Sequence, residues 1–242
     1  MLKRETIDIH RVLIFYTILE MAQLKQVLFL GAPGVGKGTY AKRVAPILGY
    51  NHLSPGDLLR REAKGNPSIG TMYLDKGLLV PEPIVFELVE REIRNMTSNG
   101  IILDGFPRSY EQAKSWIHTY KVPDLIVEFH LPRHILVNKL LGRRLCSCCG
   151  DLYNVFSFCE GEFSMPAMKP KQDGVCDKCG GKLVKRSDDD PIVVNERLDR
   201  HVENEKALID ILSKHTKNII QFKVTTGIAQ VDELVNLIKT YR

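Results

Sequence analysis

The chain has 242 residues, 44% of them hydrophobic and 26% charged, which is ordinary for a globular protein with enough apolar material for a full core. Its 34 Lys and Arg against 29 Asp and Glu leave a net charge of +5; no basic run concentrates it, which argues against a nucleic-acid binder and agrees with small polyanionic ligands. No apolar run reaches the roughly 18 residues that a membrane span needs.

Residues 1–24 come first. An apolar stretch from Val12 to Leu19 follows early basic residues, but Asp8, His10 and Arg11 interrupt the approach and no small-residue cleavage site follows. Glu5 and Asp8 oppose a transit peptide, and Leu2 stands where a myristoylation signal needs glycine. The segment reads as an amphipathic extension packed on the body, with a targeting label as the alternative. Gln26 to Gly31 (QVLFLG) is a short apolar run that stops at glycine and predicts a buried strand; Gly36 to Leu48 predicts a helix. A helix follows over Ile84 to Met96, then a buried strand leading into a loop over Gly100 to Arg108 (GIILDGFPR). Asp124 to Pro132 is a third strand, Arg133 to Leu145 and Val193 to Ser213 are helices, and Ile219 to Gly227 is a fourth strand. This alternation predicts an α/β fold with a doubly wound parallel sheet that binds its ligands at the carboxyl ends of the strands.

One stretch breaks the rhythm. From Leu145 to Lys185 glycine, proline, cysteine and lysine dominate, over a length that a compact domain does not leave structureless. All six cysteines lie between 146 and 179. Cys146 and Cys149 form one C-x-x-C followed by Gly150, and Cys176 and Cys179 form a second followed by Gly180. Paired knuckles of this kind suit a tetrahedral zinc with four cysteine ligands. Free thiols in a reducing compartment, or two disulfides, are the alternatives. Cys148 and Cys159 fall outside the pairing and are expected to be free.

The stretch GAPGVGKGT, Gly31 to Thr39, follows the first strand and opens the first helix. Its Gly31-x-x-x-x-Gly36-Lys37 spacing is that of a P-loop. Glycines let backbone N–H groups close on phosphate oxygens, the helix start adds partial positive charge, and Lys37 reaches the transferring phosphate. A general P-loop places Ser or Thr directly after the lysine to ligate magnesium. Here Gly38 stands there and Thr39 comes next, so magnesium is expected to be held more by water and phosphate.

With LDGFPR (Leu103 to Arg108), SPGDLLR (Ser54 to Arg60), GLLVPE (Gly77 to Glu82), GRR (Gly142 to Arg144), RSDD and ERL (Arg186 to Leu198), these motifs resemble the adenylate kinases of the long, lid-bearing type among the nucleoside monophosphate kinases. The resemblance runs from about Lys25 to the C-terminus. It implies a P-loop core over 25–53, 84–141 and 189–242, a small helical monophosphate-binding insertion over 54–83, and a zinc-bearing lid over 142–188. It further implies that Lys37, Arg108, Arg143, Arg186 and Arg197 are catalytic. The donor nucleotide would lie on Gly34, Val35, Gly36, Lys37, Gly38, Thr39, Lys139 and Arg143. AMP would lie on Pro55, Arg60, Leu78, Val80, Gly105, Arg108, Gln112, Arg186 and Arg197. Asp104 would orient the magnesium shell, Gln112 would read the acceptor base through paired hydrogen bonds, and Asp188 and Asp189 would act at the lid hinge.

Two positions depart from the family pattern. Pro55 replaces a hydroxyl residue that touches the acceptor base, and Lys139 replaces an arginine that lies over the donor base. An ammonium stacks on a purine less well than a guanidinium, so donor purines are expected to be distinguished weakly. The expected activity is reversible transfer of the γ-phosphoryl group of ATP or GTP to AMP. Magnesium would accompany the nucleotide and zinc would stiffen the lid. The expected protein is a monomer that binds no nucleic acid and resides in the cytoplasm, with the mitochondrion as the alternative. Two rival functions use the same parts: a P-loop switch without efficient transfer, and a zinc-ribbon nucleic-acid-binding ATPase.

Overall fold

The computed structural model describes Met21 and residues 23–241. The extension expected over residues 1–24 lies outside the described residues, apart from Met21, Gln23 and Leu24. Met21 is fully buried, and its carbonyl accepts from the Gln26 amide at 2.9 Å.

The central sheet is parallel throughout. It contains β1 (Lys25–Gly31), β2 (Asn51–Leu53), β3 (Gly100–Asp104), β4 (Leu125–His130) and β10 (Ile219–Lys223), in the order β10-β4-β1-β3-β2. Along β1 the side chains alternate between two cores. Val27 and Phe29 join one apolar cluster with Tyr40, Phe129 and Phe222, whereas Leu28 and Leu30 join another with Leu103, Phe106 and Trp116. A sheet buried on both faces has this near-continuous apolar sequence because every position must be apolar. The register sets Phe29 beside both Asp104 and Val127, so β1, β3 and β4 end at nearly one level. That common edge carries the site.

The helices are α1 (Lys37–Leu48), α2 (Pro55–Gly65), α3 (Glu82–Ile93), α4 (Tyr110–Thr119), α5 (Arg133–Leu141), α6 (Pro191–His215) and α7 (Val231–Thr240). Three differ from the sequence expectation: the helix expected over Ile84 to Met96 runs from Glu82 to Ile93, with Pro81 before its first turn. The helix expected over Arg133 to Leu145 ends at Leu141, with Gly142 as its cap. Beyond it Arg143, Arg144 and Leu145 leave the helix to pair with Asn154, Tyr153 and Leu152. The helix expected over Val193 to Ser213 starts earlier and ends later, because Asp190 caps it through its side chain at Ile192 N and Pro191 takes the first turn. Between α2 and α3 the chain makes a single turn at Pro67–Ile69 and a π-helical turn at Gly70–Leu74.

Between α5 and α6 the chain leaves the central sheet. Strands β5 (Arg143–Cys146), β6 (Leu152–Asn154) and β9 (Leu183–Val184) form a small sheet in the order β6-β5-β9. Its own core is Cys146, Tyr153, Cys176 and Leu183. A separate hairpin, β7 (Phe158–Glu160) and β8 (Phe163–Met165), reaches back to the main body. Ser164 N donates to Thr225 O at 2.9 Å, Glu162 pairs with Lys223 at 2.6 Å, and Met165 is buried in the core that holds Val27, Phe29 and Tyr40. Among the described residues no helix is long and apolar enough to cross a membrane.

Candidate active site

Strand β1 runs into the phosphate loop at Gly31, and only glycine fits there. Its φ is 129°, and a Cβ would lie 2.4 Å from the Phe129 carbonyl oxygen of β4. Gly34 and Gly36 also have positive φ, at 87° and 116°. No side chain caps the start of α1, so its first N–H groups face the loop. Lys37 folds back to donate from Nζ to Gly31 O at 2.5 Å and Ala32 O at 2.9 Å. Burial lowers its ammonium to about 8; Asp104 opposes the shift, while Arg108, Arg197 and Arg143 add to it.

The glycine that departs from the general P-loop has a steric reason. A Cβ at Gly38 would stand 2.9 Å from Asp104 Oδ2. The same oxygen is bonded to His52 Nε2 at 3.1 Å. His52 was missed in the sequence because β2, which carries it, is three residues long and shows no periodicity.

Above this edge lies a cleft of about 320 Å³. The structure gathers onto its walls Gly34, Gly36, Lys37, Gly38, Thr39, Pro55, Arg60, Leu78, Val80, Asp104, Gly105, Arg108, Gln112, Lys139, Arg143, Arg186 and Arg197. Val35 alone of the expected nucleotide-binding residues does not line it. Its side chain is fully buried, and its carbonyl accepts from Lys139 Nζ at 3.4 Å.

The arginines come from five different segments and converge on Lys37. Arg60 pairs with Asp57 at 2.6 Å, and Arg197 with Asp188 at 2.6 Å. Arg143 grips Asp189 with two bonds, one from Nε to Oδ2 at 2.8 Å and one from its terminal nitrogen to Oδ1. Arg108 Nε donates to Gly105 O at 2.6 Å. The Nε of Arg186 is buried without a hydrogen-bond partner. Burial, with Arg143 and Arg60 nearby, lowers the Arg186 guanidinium to about 9, and burial lowers Arg197 to about 10. Protein carboxylates pair with Arg60, Arg143 and Arg197, and the unpartnered Arg186 Nε leaves buried positive charge that an anion in the cleft would compensate.

Gln112 is also tied to the start of α4. It is buried at the cleft wall, but its Oε1 accepts from Arg108 N at 2.8 Å while its own N–H donates to Ser109 Oγ at 3.2 Å. Ser109 caps α4, and Gln112 reaches back one residue past the cap to Arg108 N, a variant of the capping box. Oε1 keeps a second lone pair and Nε2 bonds nothing among the described residues, so both ends of the amide face the cleft with capacity to spare.

The four sulfurs of Cys146, Cys149, Cys176 and Cys179 lie within 4.8 Å of one another. Cys146 and Cys179 are 3.4 Å apart, and Cys149 and Cys176 are 3.6 Å apart. A tetrahedron with metal–sulfur bonds of about 2.3 Å has edges of about 3.8 Å, so the donor set fits one ion and contains no disulfide. Backbone N–H groups of Cys149 and Cys148 hold the Cys146 thiol down at about 6. Tyr153 hydroxyl donates to Cys176 Sγ at 3.5 Å and accepts from Asp177 N at 2.8 Å.

A family model described as adenylate kinase matches residues 29–217, a span that includes the phosphate loop, the arginines and both knuckles. The chain belongs to the adenylate kinase family. It is 35% identical over 225 residues to a GTP:AMP phosphotransferase of Plasmodium falciparum, covering 90% of this chain and 97% of that one. It is 38% identical over 221 residues to an adenylate kinase of Thermodesulfovibrio yellowstonii, covering 88% and 96%. An adenylate kinase of Borrelia turicatae is 35% identical over 222 residues, covering 89% of this chain and all of its own length. The family's phosphate loop and cation cluster are thus built here on the same sheet edge that the strand register defines.

Proposed function

We propose that this adenylate kinase family member transfers the terminal phosphoryl group of ATP or GTP to AMP, reversibly, in line and without a covalent intermediate. The observation that carries the reading is the unpaired, buried Arg186 Nε within a ring of guanidinium groups around Lys37. Two phosphate chains repel each other, and the barrier to joining them is mostly positioning and charge. Guanidinium forks grip phosphate oxygens in pairs and stay charged, so they supply both. In this reading Arg60 and Arg108 hold the phosphate of AMP, Arg143 closes on the donor, and Arg186 and Arg197 reach the phosphates of both nucleotides. Lys37 follows the group in transfer. Pro55, Leu78, Val80, Gly105 and Gln112 form the acceptor end. Magnesium would travel with the nucleotide, supplying charge to the phosphates, with Asp104 facing its shell.

The segments 54–83 and 142–188 act as the acceptor flap and the lid. Excluding water is what separates a transferase from a hydrolase. Zinc on the four cysteines would be structural, since four sulfur ligands leave no open position. Free thiols suit a reducing compartment, and we place the protein in the cytoplasm, as a monomer that acts on small nucleotides and not on nucleic acid.

The test is transfer to AMP, GMP, CMP and UMP from a labelled triphosphate, with hydrolysis in the absence of acceptor as the comparison. AMP should be the best acceptor and hydrolysis a minor side reaction. Arg108→Ala should lower the transfer rate by about 100-fold or more, because a charge contact to the acceptor phosphate is lost. Near-parental transfer by that variant, or hydrolysis matching transfer, would refute the reading.

A further inference from the structure

The two cysteine knuckles share one backbone pattern. Cys146 N donates to Asp151 O at 2.9 Å and Gly150 N returns to Cys146 O at 3.1 Å; Cys176 N donates to Gly181 O and Gly180 N returns to Cys176 O, both at 2.8 Å. Each knuckle contributes one buried cysteine, Cys146 or Cys176, and one exposed cysteine, Cys149 or Cys179. An exposed sulfur that carries charge reaches water, whereas a buried one depends on donors from the protein. Both buried sulfurs face backbone N–H groups of their own knuckle, from Cys149 and Cys148 at Cys146 and from Lys178 and Cys179 at Cys176. The symmetry ends at the side chains. Among the described residues Tyr153 is the one side chain outside the four cysteines that bonds a sulfur of the cluster, and it bonds Cys176.

Strand β6 places Tyr153 there. The residue pairs across the small sheet with Arg144 of β5, the strand that ends at Cys146 of the first knuckle. Its ring packs in the small core with Cys146, Cys176 and Leu183. Its hydroxyl accepts from Asp177 N at 2.8 Å, which uses one lone pair and leaves its single O–H for Cys176 Sγ at 3.5 Å. The Asp177 carboxylate in turn accepts from Lys171 N at 2.8 Å. Tyr153 thus starts from the strand paired to the first knuckle and ends on two successive residues of the second.

We infer that Tyr153 is a positioning residue for the metal, its hydroxyl holding Cys176 Sγ in place as a ligand. This rests on the zinc reading above and not on phosphoryl transfer. Four thiolates outweigh the charge of one zinc ion, so a sulfur that gains a hydrogen-bond donor sheds part of the excess. Cys176 is where a donor counts, because its sulfur is buried away from water. The bond from Asp177 N fixes the hydroxyl from behind, so the donor is already aimed when the ion arrives. A partner that orients a metal ligand in this way is worth roughly ten- to hundred-fold in metal affinity.

The experiment compares the full chain with two variants. Tyr153→Phe removes the hydroxyl and keeps the ring in its core; Leu183→Ala loosens the same core and keeps the hydroxyl. Zinc affinity is measured by competition with a chromophoric chelator, and the cobalt(II) form of each protein reports on the sulfurs through its absorption spectrum. In Tyr153→Phe zinc affinity should fall by roughly ten- to hundred-fold. Its cobalt form should keep the bands of a tetrahedral four-sulfur site, with the sulfur-to-cobalt charge-transfer band moved to longer wavelength, because a thiolate without its hydrogen bond gives up an electron more easily. Leu183→Ala should lower the melting temperature and leave that band in place. Parental zinc affinity in Tyr153→Phe, or an unmoved band, overturns the inference. An equal band shift in Leu183→Ala does the same, since it would trace the effect to packing. A parent chain that binds neither zinc nor cobalt overturns the metal reading itself, and the inference falls with it.

Discussion

Lys37 and Lys139 are held in the free protein at about 8, both by burial. A polyphosphate held on the phosphate loop favours the charged form of Lys37 and returns it toward the ordinary value of 10.5. Protonated lysine is therefore the binding form. Between about pH 8 and pH 10 nucleotide binding should take up protons, and affinity should fall as the pH rises; below about pH 8 it should be nearly level. Calorimetry at pH 8.5 in two buffers of different ionisation enthalpy measures the uptake, and proton release would contradict it. How far single residues could be read from the sequence varied with how local their partners are. Lys37 was legible because its loop, strand and helix are contiguous. The capping role of Gln112 was written in Ser109-x-x-Gln112, a signal that went unread beside the family motif. The pairing of His52 with Asp104 joins residues of two strands, and no local pattern announces it.

The central strands were legible because burial on both faces makes each one an unbroken apolar run, as in Val27 to Leu30. The strands between α5 and α6 were not. They are two to four residues long, and apart from a four-residue core the cysteine cluster is what ties them together. The cysteine spacing announced the metal site but not the hairpin beside it. Because so little apolar surface supports this sheet, its stability should follow the metal. Cys176→Ser should lower zinc content from about one per chain, and it should lower the melting temperature by about 2–4 °C for each kcal/mol lost. Metal analysis and a thermal melt measure both. Unchanged zinc and an unchanged melt would mean that the four sulfurs do not hold the ion.

At the scale of the molecule, segment 54–83, proposed above as the acceptor flap, and the long helix α6 already touch. Arg200 donates to Lys76 O and Gly77 O, each at 3.2 Å, and Ser187 donates to Asp75. The flap is therefore braced against the segment that returns from the lid, so the two covers meet beside the cleft. Arg200→Ala should release the flap at a cost of about 1 kcal/mol, raising the KM for AMP a few-fold while the donor KM stays near its parental value. Steady-state titration of each substrate separates the two; a donor KM that rises as much as the acceptor KM would mean that the brace serves the whole cleft. The sequence conveyed the alternation that makes the sheet, but the β10-β4-β1-β3-β2 order and the meeting of the two covers depend on contacts between residues far apart in the chain.

Asp188 holds one terminal nitrogen of Arg197 and Asp189 holds two nitrogens of Arg143 as tethered counterions, so in the proposed function nucleotide binding at those two arginines is an ion exchange. A chloride or other singly charged solute must displace a carboxylate that is covalently held in place, and it brings no more charge than it removes. A triphosphate brings several charges at once and wins the exchange. Occupancy should thus depend on charge density more than on total salt, which suits a protein working among abundant monovalent anions. The same exchange runs backward at the end of turnover: as a diphosphate loosens, the two carboxylates are at hand to reclaim their arginines and speed its departure.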